Sequence, residues 1–207
     1  MKYDQNLDKV KFEIIISGRS NVGKSSIIRE LTGKQVKVGK RPGVTLKPTQ
    51  VLLSDMLITD LPGFGFMSGV KDRKQDIVKD QIVRYIEKNA DRIKIAVIVA
   101  DPVSFVDVVE RWESRNEIPI DIEIFDFFNE LGFDTIIAVN KMDRIKDVEH
   151  DERLDAIVEK FGLSAPWKQW NYIVAPTSAK KGDIKSLKGL LRKRLHEEKR
   201  DDLFKYI

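Results

Sequence analysis

Residues Gly18-Arg19-Ser20-Asn21-Val22-Gly23-Lys24-Ser25, with Ser26 behind them, spell G-x-x-x-x-G-K-S, and few stretches so short limit a fold so tightly. Such a loop closes backbone N–H groups around phosphate oxygens, which asks for glycine where a Cβ would block the approach or forbid the dihedrals. Gly18 and Gly23 meet that demand. Lys24 supplies a point charge for β- and γ-phosphates, Ser25 can put its hydroxyl on a magnesium ion, and a helix starting here aims its positive end at the anion. The flanks agree: Phe12 to Ile16 is apolar and β-branched, and Ser26 to Leu31 has helical spacing. Standing alone, the stretch also reads as a glycine-bearing turn between strand and helix.

The chain has 207 residues with 42% hydrophobic content, enough for one well-buried core, and no Pro- or Ser-rich linker divides it. One domain over 1–207 is expected, with 1–10 as a lead-in and 196–207 as the end of the last helix and a tail. A formal charge of +4 with 34% charged residues of both signs describes a well-solvated surface that permits a nucleic-acid partner without demanding one. Cysteine is absent, which excludes disulfides, thiolate metal sites and thiol catalysis. The first residues lack the apolar stretch of a secretory signal and no window approaches a membrane span, so a soluble cytoplasmic protein is expected. His150 and His196 are too few and too far apart to suggest a metal centre.

Beyond the first helix, Lys34 to Lys47 is polar and turn-rich and has the length of a functional loop. Within it Arg41-Pro42-Gly43-Val44-Thr45 sets a hydroxyl within reach of the same magnesium, although a Pro-Gly turn with a solvent-facing threonine gives the same pattern. Thr49 to Ser54 and Met56 to Leu61 read as a hairpin that runs into Asp60-Leu61-Pro62-Gly63. A carboxylate at that strand end suits magnesium, and the glycine N–H suits a terminal phosphate. Phe64 to Gly69 pairs exposure-prone aromatics with glycines, a composition that orders and disorders cheaply. An amphipathic helix follows over Asp72 to Asn89, with Ile77, Ile82, Val83 and Ile86 available for its buried stripe. Ile93 to Ala100 is a strand buried on both faces, ending at Asp101. Val106 to Glu113 is partly helical, and Ile120 to Leu131 is a helix stopped by Gly132.

Asp134 to Val139 is another buried strand, and it delivers Asn140-Lys141-Met142-Asp143 at its carboxyl end. A carboxylate there can accept the ring N–H and exocyclic amine of guanine, a pattern adenine lacks, and the asparagine amide can serve the remaining polar edge of the base. Matched hydrogen bonds of this kind discriminate by several kcal/mol. An Asx-rich loop is the plain alternative. After a helix from Asp151 to Phe161, Tyr172 to Ala175 gives the last strand. Thr177-Ser178-Ala179-Lys180 follows it, small enough for backbone N–H groups to approach the base. From Asp183, an N-cap, the final helix lays Leu187, Leu190, Leu191 and Leu195 on one side. Lys180 to Arg200 holds nine Lys or Arg against three Asp or Glu, read as the solvated face of a packed helix in preference to a nucleic-acid surface.

These motifs occur in one order, each at the carboxyl end of an expected strand. Together they resemble a small GTPase of the Era/TrmE-like, translation-factor-related class over Lys11 to about Leu195. Gly18-Arg19-Ser20-Asn21-Val22-Gly23-Lys24-Ser25-Ser26, followed by Asp60-Leu61-Pro62-Gly63-Phe64-Gly65-Phe66, is most similar to the EngB family, single-domain GTPases implicated in large ribosomal subunit assembly and cell division. Phe64 and Phe66 stand where that family usually has tyrosine, Asn140 where threonine commonly opens the motif, and Val103 to Pro119 looks longer than usual.

The resemblance implies an α/β, three-layer P-loop NTPase domain with a mostly parallel six-stranded sheet flanked by helices. It implies GTP and GDP as ligands, a large-subunit precursor as partner, no membrane, and a monomer. Gly18 to Ser26, Gly43, Val44, Thr45, Asp60 to Gly63, Asn140 to Asp143 and Thr177 to Lys180 would bind nucleotide. Lys24, Thr45 and Gly63 would serve hydrolysis, and Ser25, Thr45 and Asp60 would hold Mg²⁺. Asn21 matches an asparagine that coordinates K⁺ in some relatives, or else bonds backbone locally. Phe64 occupies the place of the water-orienting glutamine of Ras-like enzymes, so intrinsic hydrolysis should be slow. Three readings stay open: an assembly GTPase, a nucleotide-dependent binding module with negligible turnover, and a soluble G domain of another pathway such as iron transport.

Overall fold

The computed structural model describes residues 7–34, 48–64 and 73–207. Thr45, Gly43 and Val44 lie outside the described residues, as do Gly65 to Asp72.

Six strands form one sheet: β1 (Phe12–Gly18), β2 (Thr49–Leu53), β3 (Met56–Asp60), β4 (Ile93–Ala100), β5 (Asp134–Asn140) and β6 (Val174–Thr177). Their spatial order is β2-β3-β1-β4-β5-β6, antiparallel between β2 and β3 and parallel elsewhere. The hairpin expected from Thr49 to Leu61 is present, turning through Ser54 in a left-handed conformation at φ 60°. Central β1 and β4 are apolar on both faces over residues 14–16 and 95–100, with Glu13 and Lys94 near their starts, because helices cover both faces.

On one face, α1 (Lys24–Thr32) and α6 (Lys185–Glu197) seat Ile27, Ile28, Leu187, Leu191 and Leu195 against Ile14, Ile16, Val97 and Val99. The other face carries α2 (Arg73–Asn89), α3 (Phe105–Glu113), α4 (Ile120–Glu130) and α5 (His150–Lys160) over Ile15, Ala96, Ile98 and Ile137. This is the three-layer arrangement expected from the sequence. The segment from Val103 to Pro119 resolves into α3, whose Phe105 stacks on Phe161 with ring centroids 4.9 Å apart, while Phe125 of α4 meets the same ring at 4.9 Å.

Three local expectations are corrected. The buried stripe of α2 is Val78, Ile82 and Ile86, spaced four apart, and Ile77 is exposed. The last strand begins at Val174, because Asn171 to Ile173 form a turn and Arg194 of α6 takes the Tyr172 carbonyl at 2.7 Å. Helix α6 has Ile184 at its N-cap, one residue beyond Asp183, whose carboxylate accepts from the Lys185 N–H at 3.5 Å. At the chain's end a 3₁₀ turn over Asp201–Tyr206 packs on α6 through fully buried Leu203, and Arg200 pairs with Asp55 of the β2–β3 turn at 2.6 Å.

Parallel strands all present their carboxyl ends on one edge, and order reverses beside β1, where open α/β sheets place their crevice. Gly18, Asp60, Asp101, Asn140 and Thr177 stand at or next to those ends.

Candidate functional site

The loop between β1 and α1 is held from three directions. Gly18 runs at φ 140°, and a Cβ on it would fall 2.5 Å from the Val99 carbonyl. Gly23 runs at φ 103°, and a Cβ there would fall 2.2 Å from Asn140 Nδ2. Both glycines are thus required by the protein's own backbone and neighbours, apart from any phosphate. Asn21, at φ 67°, takes the left-handed conformation that asparagine tolerates, and its exposed side chain makes no hydrogen bond among the described residues.

Lys24 is buried and turns its ammonium back on the loop, donating to Gly18 O at 3.0 Å and Arg19 O at 3.2 Å. Burial lowers its pKa, while Asp60 and Asp121 pull it upward. Ser25 Oγ donates to Asp60 Oδ2 at 2.8 Å, so the end of β3 and the start of α1 share a proton. Asp60 Oδ1 is buried and has no partner among the described residues. Its carboxyl is pushed above the ordinary value by burial, against the pull of Lys24 and the Ser25 hydroxyl. A hydroxyl beside a carboxylate with an oxygen to spare is the hard donor set that Mg²⁺ takes, and these residues fit it.

Past Asp60, Leu61 and Pro62 are buried and Gly63 passes so close to Lys24 that a Cβ would lie 2.9 Å from its Nζ. Ser20 Oγ donates to Gly63 O at 3.2 Å, and the Ser20 N–H donates to Phe64 O at 2.8 Å. Phe64 is no exposed aromatic. It is 2% exposed and belongs to the core cluster that also holds Leu61, Val78 and Phe105.

At the other end of the edge, Asn140 is 2% exposed and ties two loops. Its Nδ2 donates to Val22 O at 2.8 Å, and its Oδ1 accepts from Ala179 N at 3.0 Å and Thr177 Oγ1 at 3.2 Å. One hydrogen on Nδ2 remains for a ligand. Lys141, at φ 77°, sends its ammonium to Asp101 Oδ2 at 2.5 Å. Met142 is buried. Asp143 is exposed, its carboxylate bonded to nothing among the described residues and its own N–H held by Ser178 Oγ at 3.0 Å. Lys180 is exposed in the 3₁₀ turn Ala179–Lys181. All the nucleotide-binding residues expected from the sequence that fall within the described segments therefore lie along one edge of the sheet.

A family model described as 50S ribosome-binding GTPase matches residues 13–141. Among curated proteins, the chain is 66% identical over 198 residues to a probable GTP-binding protein EngB of Methanosarcina barkeri, covering 96% of this chain and 95% of that protein. The chain belongs to the EngB family of GTPases. The EngB counterpart of Methanosarcina mazei is 64% identical over the same shares. A crystal structure of a probable GTP-binding protein engB superposes with a TM-score of 0.78 at 46% identity, over 89% of this chain and 99% of that one. Era of Aquifex aeolicus, bound to GDP and aluminium fluoride, shares the fold alone at 20% identity and a TM-score of 0.53, covering 94% of this chain and 56% of Era. As a member of the EngB family the chain binds guanine nucleotide and is a GTPase, and among its described residues no helix is long and apolar enough to cross a membrane.

Two carboxylates escaped the sequence reading of this EngB site. Asp121, 1% exposed in the first turn of α4, takes Arg19 Nη1 at 3.0 Å across 102 residues, and no local pattern marks it. Asp101 does carry a signal, its place at the carboxyl end of β4, but nothing in the sequence pairs it with Lys141.

Proposed function

We propose that this EngB-family chain is a guanine-nucleotide switch that binds GTP with Mg²⁺, hydrolyses it slowly, and uses the cycle to assist assembly of a large ribosomal subunit precursor and, through it, cell division. It would act as a cytoplasmic monomer. The observation that carries the reading is the edge on which Ser25 meets Asp60 at 2.8 Å while Asn140 bonds the phosphate loop at Val22 and the capping loop at Ala179. Phosphate chemistry and base choice are thereby built into one rigid unit. The family's description as 50S ribosome-binding supports the choice of partner.

In this reading Gly18 to Ser26 wrap the phosphates, and Lys24 leaves its loop carbonyls for the β- and γ-oxygens. Ser25, Asp60 and Thr45 would hold Mg²⁺, which when bound neutralises phosphate charge. The Gly63 N–H faces the terminal phosphate, with Gly43 and Val44 contributing beside Thr45. Asp143 accepts the guanine ring N–H and amine, Asn140 offers its second amide hydrogen, Lys141 lies along the base, and Ser178 to Lys180 close over it. Phosphoryl transfer to water needs position and charge more than covalent help. Phe64 is buried and has no polar atom to orient that water, so turnover stays at or below the order of 10⁻³ s⁻¹ until a partner completes the site. Asn21, exposed and unbonded within its loop, is the residue that would hold K⁺, and turnover in KCl should exceed that in NaCl.

Titrating nucleotide-free protein with fluorescent GTP, GDP, XTP and ATP tests the base assignment. Guanine selectivity that moves to xanthine in Asp143→Asn is expected, and unchanged guanine affinity in that variant would remove the role. Co-sedimentation with large subunits in a non-hydrolysable GTP analogue tests the partner. Equal sedimentation with GDP and with the analogue would argue against a switch.

A further inference from the structure

The basic run from Lys180 to Arg200 reads from sequence as the solvated outside of a packed helix, and the structure divides it more sharply. Helix α6 commits Leu187, Leu191 and Leu195 to the core and Arg194 to Asp134 at 2.9 Å. It leaves Lys185 and Arg192 exposed and Lys188 half-buried, at spacings of three and four that align on one helical face, with exposed Lys181 just before them and Arg192 donating to the Ile207 carbonyl at 2.7 Å. Lys181, Lys185 and Lys188 have no ion-pair partner among the described residues. Like charges at these spacings repel, so the stripe is held at a cost that an anionic partner would relieve.

At Lys188 the stripe meets a cavity of about 340 Å³ between the end of α1, the β2–β3 turn and the last residues of the chain. Lys34, Lys188 and Lys205 stand on its wall with Tyr206, and among the described residues no acidic side chain lines it. Lys34 Nζ donates to the Leu52 carbonyl at 3.1 Å, and Lys205 Nζ lies 5.1 Å from the Tyr206 ring centroid. Neither ammonium forms an ion pair among the described residues, although the Asp202 carboxylate feels the charge of Lys205.

We propose that this face binds the backbone of single-stranded RNA, with one nucleotide seated in the cavity and the strand continuing along Lys185 and Lys181. Several features select that ligand. Lysines flanking an aromatic surface are the elements by which proteins hold unpaired nucleotides. The stripe from Lys185 to Arg192 extends roughly 10 Å along the helix, longer than one phosphate needs. A concave site of this size admits a single nucleotide and excludes a duplex. A membrane surface would require exposed apolar residues beside the charges, and those of α6 are buried in the core. Among polyanions, the choice of RNA rests on the ribosomal reading above.

The test is titration of the full, GDP-loaded chain with a fluorescent oligouridylate of about twelve nucleotides, between about 50 and 200 mM KCl. Wild type should bind with log K falling linearly in log salt. Lys188→Gln with Lys205→Gln should bind about tenfold more weakly, with a slope shallower by about 1.4. Arg84→Gln with Lys88→Gln removes the same charge from α2, on the other side of the sheet, and should leave RNA affinity unchanged. Equal GDP affinity in all three proteins shows that each is folded. The proposal is overturned if wild type does not bind the oligonucleotide, if the cavity variant binds it normally, or if the α2 variant loses as much. Equally effective competition by a poly-glutamate peptide of matched charge would overturn it in favour of an acidic protein. No ribosomal particle enters the titration, so this proposal and the large-subunit reading fail separately.

Discussion

Asn140 Nδ2 donates to the main-chain carbonyl of Val22 at 2.8 Å, joining residues 118 apart in the chain. Because Oδ1 of the same amide accepts from Ala179 N, one side chain sets the distance between phosphate loop, base loop and capping loop. Asn140→Ala strands a buried carbonyl and a buried N–H, each at about 1–3 kcal/mol. Urea unfolding should show a loss of about 3 kcal/mol, and GDP affinity should fall beyond what one base contact explains. Gly23→Ala points its methyl at the same amide, so a double-mutant cycle between the two positions should be strongly non-additive.

Asp121 gives the apo protein a pH signature. Burial raises its carboxyl above 3.8, with Arg19 opposing. The folded state then holds a proton that the unfolded state has released, over the interval from 3.8 up to the raised value. Its contribution is fully present below 3.8 and is lost as pH rises through that raised value. Asp121→Asn removes this titration. The wild-type minus variant stability, measured by urea unfolding from pH 4 to 8, should therefore fall as pH rises through the interval and then level. A difference that rose with pH would reverse the assignment.

Glu13 is fully buried in β1 and accepts from Thr59 Oγ1, from Tyr85 OH and, at 2.7 Å, from Arg92 Nε. Gln50 Nε2 donates to the same phenol at 2.8 Å, so β1, β3 and α2 meet at one carboxylate and β2 joins them through the phenol. Tyr85→Phe should cost about 1–2 kcal/mol in denaturant unfolding. The phenol is pushed up to about 12, by burial first and then by the Glu13 charge. In an absorbance titration of wild type against Tyr85→Phe, the difference between the two should be a phenol that ionises near pH 12.

Lys141, which lies along the base in the proposed binding mode, is held by Asp101. Asp101→Ala frees the ammonium to swing from its place, and GDP affinity should drop about tenfold, equal to about 1.4 kcal/mol. Guanine-over-xanthine preference should stay intact, since Asp143 is untouched. A change in that preference would show that Asp101 does more than position Lys141.

What the sequence made legible was local chemistry. Gly18 to Ser25, Asp60 and Asn140 to Asp143 are motifs recognisable within a few residues, and Ile93 to Ala100 is recognisable to the residue because, Lys94 aside, it is apolar throughout. Long-range decisions stayed hidden. Tyr172 looks like strand until Arg194, 22 residues on, takes its carbonyl. Ile77 and Val78 are equally apolar, and only packing on the sheet selects Val78. Asp121 has nothing around it that points to Arg19.

Phe64 bears on the evolutionary routes open to this chain. It directly follows Gly63, in the place where faster Ras-like hydrolases put glutamine, yet here it belongs to the hydrophobic core on the α2–α5 face of the sheet. A single substitution to glutamine would remove an aromatic from the core and bury an amide, at about 3 kcal/mol or more. That is a sizeable share of the total stability of an ordinary domain. A lineage carrying this arrangement would reach a glutamine here only by crossing that loss of stability, so the step calls for a compensating change in the core first.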